Sequence, residues 1–289
     1  MYSGTYAFIY DDVLNDRRYE RAIAEVDVRL TSLDLQGRVV RLSLFRSAKE
    51  LVEQMVREGV TTIVIIGNDQ SLDKMLWFLP DLDITVGYIP VVEPWGVATL
   101  LGIPNGPAAC DVVAARFVEV LDVGKIDNRY FLTSVRMPRT MAAVDIEGHY
   151  RLSAVHGGSI TIQNIGQAVQ DRASFDEAKD GFLEVVIEPS ESPDASRWGR
   201  RKRERQMKKT RAFIRYGKII SPEPVDVQVD SHVVNGFQFA LEIVPKKFRL
   251  ITSRAVRSDA DPEGGLPKTA TSSTLRAAGD RLQARRKTP

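Results

Sequence analysis

Residues 61–66 read Thr-Thr-Ile-Val-Ile-Ile, six β-branched residues in succession. A run without polar alternation suits a strand covered on both faces, as in a parallel sheet flanked by helices. The surrounding sequence carries the same rhythm. Residues 5–10 (TYAFIY), 37–45 (GRVVRLSLF) and 84–90 (ITVGYIP) read as further strands. Between them, residues 16–33 have apolar positions near helical spacing, and residues 72–79 form a short helical segment. Ser47, with Glu50 three residues later, is a capping-box signature for a helix that ends at Gly59. Four strands alternate with three helices, which argues for a parallel sheet wound with helices.

After about Asp122 the rhythm changes. Short extended runs at 120–125, 129–137, 140–146, 150–154, 159–164 and 182–187 follow one another with few helical signals, and strand patterning returns at 212–220, 225–229 and 237–252. Such spacing suggests a mainly antiparallel sandwich. The expected organisation is therefore an α/β domain over residues 1–120 and a β-sandwich domain over 121–253. The latter is interrupted by a basic insertion at 190–211. Residues 254–289, polar and without apolar periodicity, are expected to be a disordered tail.

Composition removes several classes. The single cysteine, Cys110, excludes an internal disulfide framework and a CxxC site. His149, His156 and His232 are too scattered to form a metal cluster. The N-terminal stretch has no basic leader, and no window approaches the ~20 apolar residues that span a bilayer. The expected location is the cytoplasm, with peripheral membrane contact left open.

Several segments in order resemble the diacylglycerol kinase catalytic-domain family of bacterial lipid kinases and sphingosine kinases. The family's Gly-Gly-Asp-Gly-Thr turn after a strand is matched by Gly67-Asn68-Asp69-Gln70-Ser71. Its next segment begins like Gly87-Tyr88-Ile89-Pro90 and ends like Leu101-Gly102-Ile103-Pro104. Its crossing into the β-domain is similar to Leu121-Asp122-Val123-Gly124-Lys125 and Asn128-Arg129-Tyr130-Phe131-Leu132. A later Asp-Asp-Gly-x-Leu turn resembles Lys179-Asp180-Gly181-Phe182-Leu183, and an Asp-Gly-Glu turn falls on Asp230-Ser231-His232. The ending resembles Val244-Pro245-Lys246-Lys247-Phe248. The resemblance spans residues 3–253. It implies an NAD-kinase/diacylglycerol-kinase-like α/β domain with a parallel sheet followed by a β-sandwich, and use of ATP and magnesium to phosphorylate a lipid hydroxyl.

Under that resemblance, Gly67, Asn68 and Ser71 would contact phosphate, and Asp69 would organise metal and catalysis. Asp230 or His232 would supply the base, and Asp180 would support a metal. The departures oppose this chemistry. Asn68 and Gln70 replace glycines whose positive φ and small size let backbone N–H groups approach phosphate. Asp69 also suits a helix N-terminus without any ligand. Val92-Glu93-Pro94-Trp95-Gly96 stands where the family has Gly-Thr-x-Asn-Asp. Pro94 lacks a donor, Glu93 adds negative charge, and Trp95 is expected to fill the vacated pocket. Lys179 replaces an acid beside the metal loop, which disfavours a divalent cation. Tyr10-Asp11-Asp12 replaces the family's first-strand Asn-Pro; its acids read as a cation ligand pair or a solvated loop. His232 reads as a base near neutral pH or as a surface residue.

The expectation is thus a lipid-kinase fold with degraded motifs, acting as a non-catalytic binding or regulatory module. The alternatives are a divergent ATP-dependent lipid kinase, and an RNA- or partner-binding protein. The last would use the run WGRRKRERQMKKTR, where Arg200, Arg201, Lys202, Arg203, Arg205, Lys208 and Lys209 face only Glu204. In the family context that run is expected to meet anionic membrane lipid, each basic residue contributing about 1 kcal/mol. A solvated insertion and nucleic-acid contact are the other readings. A homodimer is a further expectation.

Overall fold

The computed structural model describes residues 5–43, 47–94, 96–154, 157–165, 178–189 and 209–253. The first lobe holds four parallel strands, β1 (Thr5–Tyr10), β2 (Gly37–Arg41), β3 (Val60–Gly67) and β4 (Thr85–Pro90), in the order β2-β1-β3-β4. Helices α1 (Glu20–Ser32), α2 (Ala48–Arg57) and α3 (Asp69–Leu76) connect them, and α4 (Gly96–Leu100) and α5 (Ala108–Ala115) follow β4. Ile63, Val64, Ile65 and Ile66 are fully buried, as their β-branched run requires. The helix expected over 16–33 begins later. Asp11 and Asp16 each cap a short 3-10 turn, accepting from the N–H groups of Val13 and Arg18, and only then does α1 start.

The second lobe is antiparallel. Its strands are β5 (Phe117–Ile126), β6 (Arg129–Phe131), β7 (Ser134–Met137), β8 (Ala143–Ile146), β9 (Tyr150–Ser153), β10 (Ser159–Gln163), β11 (Leu183–Glu188), β12 (Thr210–Ile214), β13 (Tyr216–Val229) and β14 (His232–Thr252). They enclose one apolar core that includes Phe131, Val135, Val144, Ile162, Val185, Ile219 and Leu241. Gly124 belongs to that packing, because a Cβ there would lie 2.0 Å from the Phe131 ring. The segments expected at 212–220 and 225–229 contribute to β12 and one long β13. The register of β13 against β14 shifts between Ile220 and Val225, around Pro222 and Pro224, which have no N–H to donate.

The two lobes are not separate along the chain. β14 pairs with β13 and β5 and then reaches the parallel sheet, where Leu250 is in register with Val86 of β4. The boundary expected at 120/121 falls inside β5, and the first 255 residues form one compact unit. Among the described residues no helix is long and apolar enough to cross a membrane.

Candidate functional site

In open α/β sheets the crevice lies beyond the carboxyl ends of the strands, where strand order reverses. Here that place is between β1 and β3. Tyr10 ends one strand, with Asp11 and Asp12 just beyond it, and Gly67 ends the other, which leads into α3. Gly67 is obligatory for space, since a Cβ would meet Ser71 Oγ at 2.2 Å and Asp11 Cβ at 3.1 Å. Asn68 and Ser71 close a reciprocal cap. Ser71 N–H donates to Asn68 Oδ1 (3.0 Å), and Asn68 N–H donates to Ser71 Oγ (3.0 Å). At 68 and 70, where the family has glycines, the backbone is not left-handed. Asn68 is extended (φ −138°), and Gln70 is exposed in the first turn of α3. Two neighbouring amides are also engaged, Asp69 N–H by Pro94 O (2.9 Å) and Leu72 N–H by Asn68 O (3.2 Å). Trp95 lies outside the described residues.

Asp69 faces inward. Its Oδ1 accepts from Tyr88 OH (3.0 Å) and its Oδ2 from Val97 N–H (2.8 Å), so it caps the start of α4. Burial pushes its pKa up, against those hydrogen bonds. Burial and the Asp69 charge likewise raise that of Tyr88.

The acids ending β1 hold a cation supplied by the chain. Lys74 Nζ of α3 donates to Asp11 Oδ1 (3.0 Å) and to Asp12 Oδ1 (2.8 Å). The Asp11 side chain is fully buried. Burial and its bond to Asp12 raise Asp11, whereas the bonds to Asp11 and Lys74 lower Asp12 to about 2. Burial works against the Lys74 charge, but the two acids outweigh it and raise its pKa.

Asp230 and His232 share a tight turn yet point to different partners. Asp230, at φ 47°, accepts from the N–H groups of Leu132 (2.7 Å), Thr133 (2.9 Å) and Ser134 (2.9 Å) and from Thr133 Oγ1 (2.5 Å). Burial raises its pKa in opposition to these donors. This anchor explains why the strand expected over 129–137 breaks into β6 and β7, since the intervening amides turn toward Asp230. His232 Nδ1 instead meets Asp73 Oδ2 of α3 at 2.6 Å. Ser231 N–H donates to the same oxygen at 2.9 Å, joined by the Ser231 hydroxyl.

The loop expected to support a metal is tied to the second lobe. Asp180 Oδ1 accepts from Phe182 N–H (2.8 Å), and burial together with the Asp122 charge raises its pKa. Buried Asp122 accepts from Gly181 N–H (2.8 Å) and Lys246 N–H (2.7 Å). Lys179 Nζ lies 2.6 Å from Glu119 Oε2. Among the described residues no group of three or more His, Cys, Asp or Glu could hold a metal ion. Of the basic run only its end is described. Lys209 pairs with Glu188 and Arg211 with Glu184, while Arg200, Arg201, Lys202, Arg203, Arg205 and Lys208 lie outside the described residues.

The structure thus brings Gly67, Asn68, Asp69 and Ser71 together at one turn. It links His232 to α3, and it turns Asp230 and Asp180 into backbone anchors elsewhere. Sequence reasoning missed Asp73, Lys74 and Asp122. Adjacent opposite charges at 73 and 74 read as an ordinary helix surface, and only the fold supplies their partners.

No protein-family model matches the sequence, and no curated protein matches it. Solved structures do. A diacylglycerol kinase from Bacillus anthracis str. Sterne superposes with a TM-score of 0.68 at 15% identity, covering 87% of this chain and 98% of the other. A putative diacylglycerol kinase from the same organism gives 0.67 at 14% identity, with coverages of 87% and 98%. A further putative diacylglycerol kinase structure gives 0.68 at 14%, with 87% and 96%. The chain has the two-lobed fold of the bacterial diacylglycerol kinases: a parallel α/β lobe followed by an antiparallel one.

The resemblance in sequence implies ATP and a divalent cation, and the described crevice residues do not fit them. Lys74 bridges Asp11 and Asp12, Asp69 accepts from the start of α4, and the amides of residues 68, 69, 71 and 72 have protein acceptors.

Proposed function

We propose that this chain is a non-catalytic member of the lipid-kinase fold, a binding or regulatory module that does not hold Mg-ATP. One observation carries the reading. The acids at the crevice already have donors from the chain, with the Lys74 ammonium seated between Asp11 and Asp12. A metal-bound triphosphate needs acidic ligands for its cation and open donors for its phosphates. Here Asp11, Asp12 and Asp69, and the amides of residues 68, 69, 71 and 72, have partners that would first have to be displaced.

A thermal melt with Mg-ATP tests this. A ligand present at ~100 times its Kd stabilises the native state by about 2.7 kcal/mol. At ~2–4 °C per kcal/mol for a chain of this size, binding would raise Tm by roughly 5–10 °C. The expected shift for this protein is below about 1 °C. A shift in the larger range, abolished by Asp69→Asn, would reverse the reading.

The basic run at 197–211 supplies the module's proposed contact, an anionic lipid surface. Its support is the charge density in the sequence, at about 1 kcal/mol per basic residue near such a surface. Vesicles containing phosphatidylserine are expected to co-sediment the protein. Charge reversal of Arg200, Arg201, Lys202 and Arg203 is expected to abolish this. Salt-sensitive binding to RNA without vesicle binding would favour the nucleic-acid reading instead.

A second reading, a divergent kinase acting on a lipid hydroxyl, is favoured by the Asp73–His232 contact, which suits a proton acceptor. Transfer of labelled γ-phosphate to diacylglycerol, lost in His232→Ala, would establish it.

A further inference from the structure

We infer that Asp73 is the positioning residue of His232 and sets which of its ring nitrogens carries the proton. Donor and acceptor roles fix the tautomer. Asp73 Oδ2 receives the backbone N–H of Ser231 at 2.9 Å, and a backbone N–H can only donate. The oxygen is therefore an acceptor. The Ser231 hydroxyl points to it as well. His232 Nδ1, 2.6 Å from this oxygen, must then present N–H rather than a lone pair. In the neutral ring the lone pair falls on Nε2. That nitrogen has no protein partner among the described residues, and the side chain is 40% exposed.

Two features make this arrangement more than a surface ion pair. Asp73 is held by α3, a rigid element, and its side chain is only 12% exposed. Its partners are adjacent residues in a turn that Asp230 anchors from the other side through four donors. Both ends of the contact are fixed, so the ring orientation is fixed with them. A carboxylate that orients an imidazole also stabilises the imidazolium formed when Nε2 takes a proton. The consequence, activation of a bound hydroxyl whose proton passes to Nε2, rests on the second reading above; the orientation itself does not.

Long-range 1H–15N correlation spectra of the full chain read the tautomer directly, at a pH where the ring is neutral. The wild type is expected to show His232 as the Nδ1–H form. In Asp73→Ala the ring should revert toward the Nε2–H form favoured by unconstrained imidazole. An Nε2–H ring in the wild type would overturn the assignment whether or not the variant folds. An Nδ1–H ring unchanged in a folded Asp73→Ala would overturn it too. If phosphate transfer is found, Asp73→Ala is expected to lower kcat by about 10²–10⁴-fold with KM unchanged. A matched fall in both His232→Ala and Asp73→Ala supports positioning, and full activity in Asp73→Ala refutes it. Absence of transfer by the wild type removes the second reading and leaves the tautomer result to decide the inference.

Discussion

Asp230→Ala is expected to lower the free energy of unfolding by about 3–5 kcal/mol, because it strands four donors at once. The N–H groups of Leu132, Thr133 and Ser134 and the Thr133 hydroxyl all end on this carboxylate. Each orphaned donor costs ~1–3 kcal/mol when shielded from water, and partial rehydration in the opened turn keeps the total below the sum. Asp230→Asn separates charge from geometry. Its amide oxygen can still serve the three donors that now meet Oδ1, while its NH2 opposes only the Leu132 N–H. The Asn variant should therefore lose roughly 1–2 kcal/mol. Urea unfolding of the three proteins measures the order. Equal loss in Ala and Asn would mean that charge, and not the array of donors, holds the turn.

Asp69→Ala comes second, at about 2–4 kcal/mol. It leaves the buried Tyr88 hydroxyl without its acceptor and removes the cap on α4. Helix caps alone contribute ~0.5–2 kcal/mol. The loss should be local before it is global, with amide exchange rising first at Val97 and the rest of α4. If exchange at α4 is unchanged while stability falls, Asp69 acts through Tyr88 alone. Were Asp69 instead kept to organise a ligand, its removal would be neutral or stabilising without that ligand, as polar groups held at functional sites often are.

The parallel lobe was legible because its signals are local and redundant. The β-branched run at 61–66 can hardly be anything but a covered strand, and Gly59 and Ser47 punctuate α2 as expected. The alternation after residue 120 likewise marked the antiparallel lobe. What stayed hidden depended on distant partners or on direction within a turn. The full reciprocal cap lies at Asn68 and Ser71, where Ser in place of Glu or Gln disguises it, while Ser47 accepts only from Glu50 N–H (3.4 Å). Asp73 and Lys74 are neighbours that reach opposite ways, one to the β13–β14 turn and one to the end of β1. Asp230 and His232 stood side by side as base candidates in sequence. The left-handed Asp230 turns its carboxylate into the second lobe and leaves His232 facing α3. The β5 and β14 strands that run through both lobes could not be read either, since their pattern does not change where the lobe does.

Helix α3 holds these polar groups together. Its first turn caps itself and α4, and its second turn grips β1 and the far hairpin. On the proposed reading these polar groups serve the fold and not a ligand. Removing any one of them should cost stability, and none should gain in the presence of a metal-nucleotide complex.

Paramagnetic broadening by Mn2+ and Mn-ATP in 1H–15N spectra tests this most directly, since it reports where the cation sits rather than what it does. No selective loss of the Asp11, Asp12 and Gly67–Ser71 amides is expected as either is added in excess over protein. Selective loss of those signals at substoichiometric manganese would place a cation between β1 and β3 and contradict the account.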